Sequence, residues 1–419
     1  IDIAVQPTTL HYSDNALIIQ KSAFEIAQRA SAGLHGVINF ASGQGEFQLN
    51  GLVLRDTDGA TLFDAKRSIG LTAASNAGAL KVGVARLGAV FSRSANGSWS
   101  ANIDDISRLY TLSPLLQRLQ ISRGALQVSS ATGGTPYRIR GNLRFPLGFL
   151  MGPDNRRIKE YRFSGSYEGG QGQIDINHNV KLKWGDKIDV ETEGVGFSIA
   201  AVADIRDALK SPAAAPEKLP GKPKRQSAPP DNAMIVKLHA RNSFIALDDI
   251  RRTPVDEFFA TYNNGAASAK FYYGAGIAVL DYADGRVSFA GKDLDISALT
   301  NFVTLADFEG GTLEFRADGD FDELHAAVRI RNTVIKDYKH LNNMLAFANT
   351  LPGLLTFNPP NYSRDGLPVS QAYAEVNYHG RMLDIKAVVL ESEELSMVGA
   401  GWIDLEKEVT DLIFNLDSG

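Results

Sequence analysis

The sequence predicts a mainly β fold: an elongated, curled antiparallel β-sheet, a β-groove, carrying a few short α-helices. Three observations lead there. Runs with apolar residues at every second position recur along the chain, the period of a strand with one apolar face. Tyr137, Ile139, Leu143 and Phe145 against Arg138, Arg140, Asn142 and Arg144 form the plainest of them. Dipeptides that accept the positive φ angles of tight hairpins punctuate these runs: Asp58-Gly59, Asn96-Gly97, Asn264-Gly265, Asp284-Gly285, Asp318-Gly319 and Asp365-Gly366. Hairpins imply antiparallel meanders rather than βαβ crossovers. Finally, such runs number on the order of twenty against four or five helical stretches, and an open twisted sheet rarely passes ~10 strands without curling or splitting.

In order along the chain, residues 1–93 read as short strands and turns, with Ala16-Leu17-Ile18-Ile19 and Phe47-Gln48-Leu49 typical. Asp105 to Leu119 reads as helical, divided at Pro114. Its opening, Asp105-Ile106-Ser107, is echoed at Asp295-Ile296-Ser297. Each is followed by a glycine and an alternating strand, which reads as an internal repeat. Tyr161, Phe163 and Tyr167 continue the strand pattern, and Ile199, Val202, Ile205 and Leu209 share a helical face. Residues 211–232 hold six prolines among Ala, Lys and Ser and read as a linker or mobile loop between modules 1–210 and 233–419. The basic Lys222-Pro223-Lys224-Arg225 lies inside it. Thr253-Pro254-Val255-Asp256 has the form of a helix start, with a capping residue, Pro at the first position and an acid in the first turn. Strands at 286–290, 312–317 and 324–330 then lead to a helix near 336–349, where Leu341, Met344, Leu345 and Ala348 recur on one face. Leu351-Pro352-Gly353-Leu354 ends it. Leu383, Ile385, Ala387 and Val389 alternate with Asp384, Lys386 and Val388 in the closing meander.

Composition excludes several classes of function. Net charge is −5 and the pI about 5.9, so no basic surface recruits nucleic acid. The absence of cysteine rules out disulfides and thiolate metal sites. No run of apolar residues is long enough to span a bilayer as a helix. The chain opens on strand-like Ile1-Asp2-Ile3-Ala4-Val5 and reads as a piece of a longer protein, with any membrane anchor outside it. None of the seven histidines stands at HxH or HExxH spacing. There is no phosphate loop and no GxSxG elbow. Gly43-Gln44-Gly45 and Gly169-Gly170-Gln171-Gly172 read as turns, and the acids of Glu391-Ser392-Glu393-Glu394 as solvated turn charge. No catalytic residue, metal or cofactor is expected.

The stretch from Leu341 through Phe357, then Gly380-Arg381-Met382-Leu383-Asp384-Ile385, then Met397-Val398-Gly399-Ala400-Gly401-Trp402-Ile403-Asp404-Leu405 resembles the C-terminal region of the AsmA-like proteins, among them the YhdP/TamB-type bridge-like lipid transfer proteins. The resemblance covers about eighty residues and holds no catalytic position. It implies a periplasmic protein, anchored to the inner membrane through a segment outside this chain, that conducts phospholipid along a hydrophobic β-groove towards the outer membrane. Acyl chains would then be the partner, alongside possible envelope proteins.

On that expectation Tyr137, Ile139, Leu143, Leu313, Phe315, Leu324, Val328, Leu383, Ile385 and Val389 line the groove floor; the alternation alone equally allows a closed sandwich core. Leu341, Met344, Leu345, Phe347, Leu354 and Phe357 form a gate or contact segment, or cap a sheet edge. Phe145-Pro146-Leu147-Gly148-Phe149-Leu150-Met151 is a second apolar loop, a contact surface if exposed. The alternatives are a structural or assembly module of the cell envelope and a polysaccharide-active enzyme on a β scaffold.

Overall fold

A computed structural model describes every residue except 1, 2, 7, 28, 57, 58, 199, 202, 203, 206, 207, 209–234, 247–251, 298–307, 321, 337–365, 394, 408, 418 and 419. The expected linker at 211–232 with its basic Lys222–Arg225 patch, the expected helix near 336–349 from residue 337 on, and the whole gate segment from Leu341 to Phe357 lie outside the described residues. The fold is mainly β, and the chain divides into two units.

The first unit comprises residues 1–150, 157–185 and 200–228. Its strands are β1 (Ile3–Val5), β2 (Thr9–Ser13), β3 (Ala16–Ile26), β4 (Ala30–Asn39), β5 (Gln44–Arg55), β6 (Thr61–Ala65), β7 (Ile69–Asn76), β8 (Ala79–Val84), β9 (Ala89–Arg93) and β10 (Trp99–Ile103). The short helices α1 (Ser107–Tyr110) and α2 (Pro114–Arg118) follow. They are split as Pro114 requires, with the Ser113 hydroxyl accepting the Leu116 N–H at 3.3 Å. Then come β11 (Arg123–Ser130), β12 (Tyr137–Arg144), the two-residue β13 (Leu150–Met151) at the unit boundary, β14 (Glu160–Glu168), β15 (Gln171–Ile176) and β16 (Val180–Trp184). From β3 onward nearly every strand pairs antiparallel with its successor, as a meander; β5 pairs with both β6 and β7, and β12 with β14.

The second unit comprises residues 151–156, 186–199 and 229–419. It opens with β17 (Lys187–Glu193) and β18 (Gly196–Ser198), which both pair parallel with β19 (Ile235–Ala246). These pairings join residues 187–198 to the second unit, while residues 200–228 belong to the first. A meander follows: β20 (Arg252–Asn263), β21 (Ala266–Tyr273), β22 (Gly276–Ala283), β23 (Arg286–Asp295), β24 (Phe308–Glu309), β25 (Thr312–Gly319), β26 (Glu323–Ile335), β27 (Leu367–His379), β28 (Met382–Glu391), β29 (Ser396–Asp404) and β30 (Val409–Asp417).

The hairpin signals hold at Asn264-Gly265 and Asp284-Gly285, where both residues take positive φ. At Asp318-Gly319 they do not: both residues belong to β25, and the turn after it is made by Asp320, whose carboxylate accepts the N–H groups of Asp322 and Glu323. Of the repeat expected from Asp105-Ile106-Ser107 the opening turn is shared, while the stretch after Ser297 where its second helix is expected lies outside the described residues. Asp105 accepts the Ser107 N–H and Asp295 the Ser297 N–H, each at 2.9 Å, while Ile106 and Ile296 are both buried.

The helix expected at Thr253 is a strand. Pro254 pairs with Phe244 inside β20, and the successive Phe258 and Phe259 point to opposite faces. The β-branched and aromatic residues of Thr253–Tyr262 fit a pleated surface, and pairing with β19 and β21 outweighs the helix-start signal. The expected helix at 199–209 is seen at Ala200, Ala201, Asp204, Ile205 and Ala208. The apolar loop after Phe145 is mostly enclosed: Leu150 and Met151 are buried, Phe145 stands on Tyr161 with ring centres 5.9 Å apart, and only Phe149 is exposed.

Buried clusters form within each unit. In the first unit Phe63, Ala65 and Ile69 pack with Leu49, Leu52, Val84, Leu87, Leu109 and Leu112, so α1 covers that cluster. In the second unit Leu294, Ile296, Leu313 and Ile330 form one cluster, and Ile335, Leu367, Val369, Leu390, Leu395 and Met397 another.

Candidate functional site

In an antiparallel pair, residues opposite one another share a face, so the strand registers define rows across each sheet. One row in the second unit runs Phe258, Phe271, Ala278, Gly291, Phe315, Val328, Ala374, Val388, Gly399, Phe414. The next runs Ala260, Ala269, Leu280, Phe289, Ala317, Ala326, Val376, Ile385, Gly401, Leu412. Neither contains a charge or a hydroxyl. In the first unit the corresponding row is Leu17, Ile38, Gly45, Ala73, Val82, Phe91, Ala101, Val128, Ile139, Gly165, Ile174, Leu182. Each unit thus has a continuous apolar face crossing a meander strand by strand.

The larger side chains of these rows are half-buried rather than buried. Side chains in the core of a closed sandwich interdigitate with those of a facing sheet and lose their solvent contact. Among the described residues these faces keep part of theirs. Neighbouring rings provide part of their cover, Phe258 stacking on Phe271 and Phe289 meeting Phe315, each with centres 4.6 Å apart, and Phe271, Phe289, Phe315 and Val328 also pack against the buried cluster around Leu313. Glycines make room for flat-lying rings. A β-carbon on Gly399 would collide with Phe414, and one on Gly291 with Phe315.

The opposite face carries the charged side chains, set among apolar ones such as Phe259 and Val279. Arg138, Arg140 and Arg144 stand there in the first unit, and Arg144 reaches Glu160 at 3.9 Å. In the second unit His239 meets Glu257 at 2.8 Å, Arg331 meets Glu314 at 3.2 Å, and Asp318 accepts from Arg316 at 2.6 Å and Ser288 at 2.8 Å. Those two donors, Arg316 foremost, hold the Asp318 carboxyl below its ordinary range. Among the described residues no group of three or more His, Asp or Glu is placed to hold a metal ion, and no helix is long and apolar enough to cross a membrane.

Most of the expected floor residues are brought onto the apolar faces. Tyr137, Ile139 and Leu143 share that face in the first unit, opposite Tyr167, Gly165 and Tyr161. Phe315, Leu324, Val328, Leu383 and Ile385 share it in the second and are half-buried. Two differ. Leu313 faces the same way but is 3% exposed, locked into the core cluster. Val389 is on the other face, opposite Tyr373 and Val398, because a β-bulge between Ile385 and Val388 inserts one residue and reverses the alternation. Val388 takes its place. The rows also include Phe258, Phe271, Phe289, Phe414, Ile174 and Leu182, which sequence reasoning did not select; their alternation is visible, but the register that joins them is not.

The chain matches no family model, no curated protein and no solved structure, so the reading of this site rests on its own geometry and on the resemblance described above.

Proposed function

We propose that this chain is a non-catalytic lipid-binding and lipid-transfer module whose apolar faces carry the acyl chains of phospholipid. The observation that carries the reading is the unbroken apolar row in each unit, left half-open to solvent. A face of that extent is unfavourable in water at ~25 cal/mol per Å² of apolar surface, and hydrocarbon satisfies it without asking for specific polar contacts. Continuity has its own physical meaning. Each methylene forced into water costs ~0.8 kcal/mol, so a two-chain lipid with ~30 methylenes would meet a barrier of roughly 20 kcal/mol at a polar gap. A sliding path has to stay apolar at every strand, and these rows do. The AsmA-like resemblance supports the same reading. It suggests the periplasm as location, the gap between inner and outer membrane as the route, and an inner-membrane anchor supplied by other parts of the protein.

Native mass spectrometry of the purified protein tests this. Phospholipid adducts that are lost with Phe315→Asp or Ile385→Asp, while the melting transition persists, support it; protein that never carries lipid, even after incubation with phospholipid vesicles, overturns it.

One observation favours a second reading, an envelope assembly module acting through protein contacts. Val398 is 52% and Ile413 74% exposed, on the charge-bearing face at the edge strand β30 and its neighbour β29. That reading predicts a co-purifying protein partner and no lipid.

A further inference from the structure

In the first unit the apolar face changes character along its strands. Tyr161 at one end of β14 is buried, Phe163 and Gly165 are half-buried, and Tyr167 at the hairpin end is exposed. Along that hairpin edge the register brings Trp99, Tyr137, Tyr167 and Trp184 into one row. Their rings form a ribbon, with centres 5.7 Å apart for Trp99 and Tyr137, 6.3 Å for Tyr137 and Tyr167, and 6.5 Å for Tyr167 and Trp184. Small residues on the intervening strands, Ser130 and Gly172, let the rings lean together across them. No indole N–H or phenol O–H of these four has a hydrogen-bond partner among the described residues. The second unit repeats the gradient by itself. Leu313 and Ile330 are buried away from the hairpin edge, while Tyr262, Tyr282 and Tyr378 occupy the same face along it, with Tyr262 49% exposed.

We propose that the Trp99–Tyr137–Tyr167–Trp184 ribbon is the ester-level subsite of a bound diacyl lipid. The lipid lies along the strands, its glycerol esters at the ribbon and its terminal methyls towards the buried Tyr161 end. This inference rests on the lipid reading above and adds a fixed orientation to it. Trp and Tyr are the residues that settle where hydrocarbon meets water, because each joins an apolar ring to one polar atom. The four donors face the level at which ester carbonyls supply acceptors. The dimensions agree: the six residue steps from Tyr161 to Tyr167 cover ~20 Å of strand, against ~15 Å for one leaflet of a ~30 Å hydrocarbon core. Headgroups then project past the hairpin edge, so the site selects for acyl chains with ester-linked glycerol.

Depth-dependent quenching of tryptophan tests the orientation. The chain has three tryptophans, and Trp402 stands on the charge-bearing face opposite Asp384 and Asp411, so Trp402→Phe leaves Trp99 and Trp184 as reporters. The protein is loaded with phosphatidylcholine bearing a nitroxide near the ester end of one acyl chain, or near its terminal methyl, and loading is confirmed by native mass spectrometry. The expected result is greater loss of emission with the ester-end label. Equal quenching by both labels, stronger quenching by the methyl-end label, or no quenching while lipid is bound overturns the orientation. Absence of bound lipid with both labels overturns the lipid reading itself.

Discussion

Ile385 and Val388 stand on the same face of the sheet, although strict alternation would part them. The extra residue of the bulge lies between them, so Ile385 falls opposite Gly401 and Val388 opposite Gly399. Everything before the bulge obeys one parity and everything after it the other. Ile385→Asp is therefore expected to abolish lipid adducts in native mass spectra. Val389→Asp, on the charge-bearing face, should leave them intact and change stability by about 1 kcal/mol at most. Loss of lipid with Val389→Asp alone would mean that the wrong face has been assigned.

Leu313 and Phe315 are neighbours on the apolar face but differ in role. Leu313 is locked among Leu294, Ile296 and Ile330, whereas Phe315 is half-open. Leu313→Ala should cost ~2–5 kcal/mol in urea unfolding, as for other core leucines. Phe315→Asp should keep a cooperative transition while losing lipid occupancy.

Trp184 lies over Gly172 on the adjacent strand, and a side chain at that glycine would collide with the indole. Gly172→Val is expected to displace the ring. In a background of Trp99→Phe and Trp402→Phe, the emission of Trp184 should shift to the red as the ring moves into water, with far-UV circular dichroism unchanged.

Asp318 links β25 to β23 through Ser288 and receives Arg316 on its own strand. Its carboxyl is held below the ordinary value, principally by the Arg316 hydrogen bond and then by Ser288. A depressed folded-state value means that the ionised form stabilises the fold. That contribution is complete above the unfolded-state value of ~3.9 and is lost as pH falls through the lower folded-state value. Melting temperature should fall as pH is lowered below ~4, and Asp318→Asn should weaken that pH dependence while lowering the neutral-pH melting temperature, both read by calorimetry across pH.

Much of this architecture was legible in the residues themselves. The alternation of Tyr137, Ile139 and Leu143 against Arg138, Arg140 and Asn142 fixes a half-apolar strand, because side chains on a pleated backbone must alternate. Asn264-Gly265 and Asp284-Gly285 demand tight turns, because few other residues accept two successive positive φ angles. Pro114 divides its helix for the same local reason. The mainly β class and the polar and apolar faces follow from such rules.

Other features depend on partners distant in sequence. The Thr253-Pro254 start has every local mark of a helix, yet β19 and β21 recruit it as a strand. The parallel pairing of Lys187–Glu193 with Ile235–Arg241 has no local signal. The bulge that turns Val389 away from the apolar face is visible only against its neighbouring strands. Alternation determined by itself that each strand has an oily side. Only the tertiary structure decided which oily residues are sealed, as Leu313 is, and which stay open, as Phe315 does. Burial is a property of what packs against a residue, and register, bulges and covering helices set that after the chain has folded.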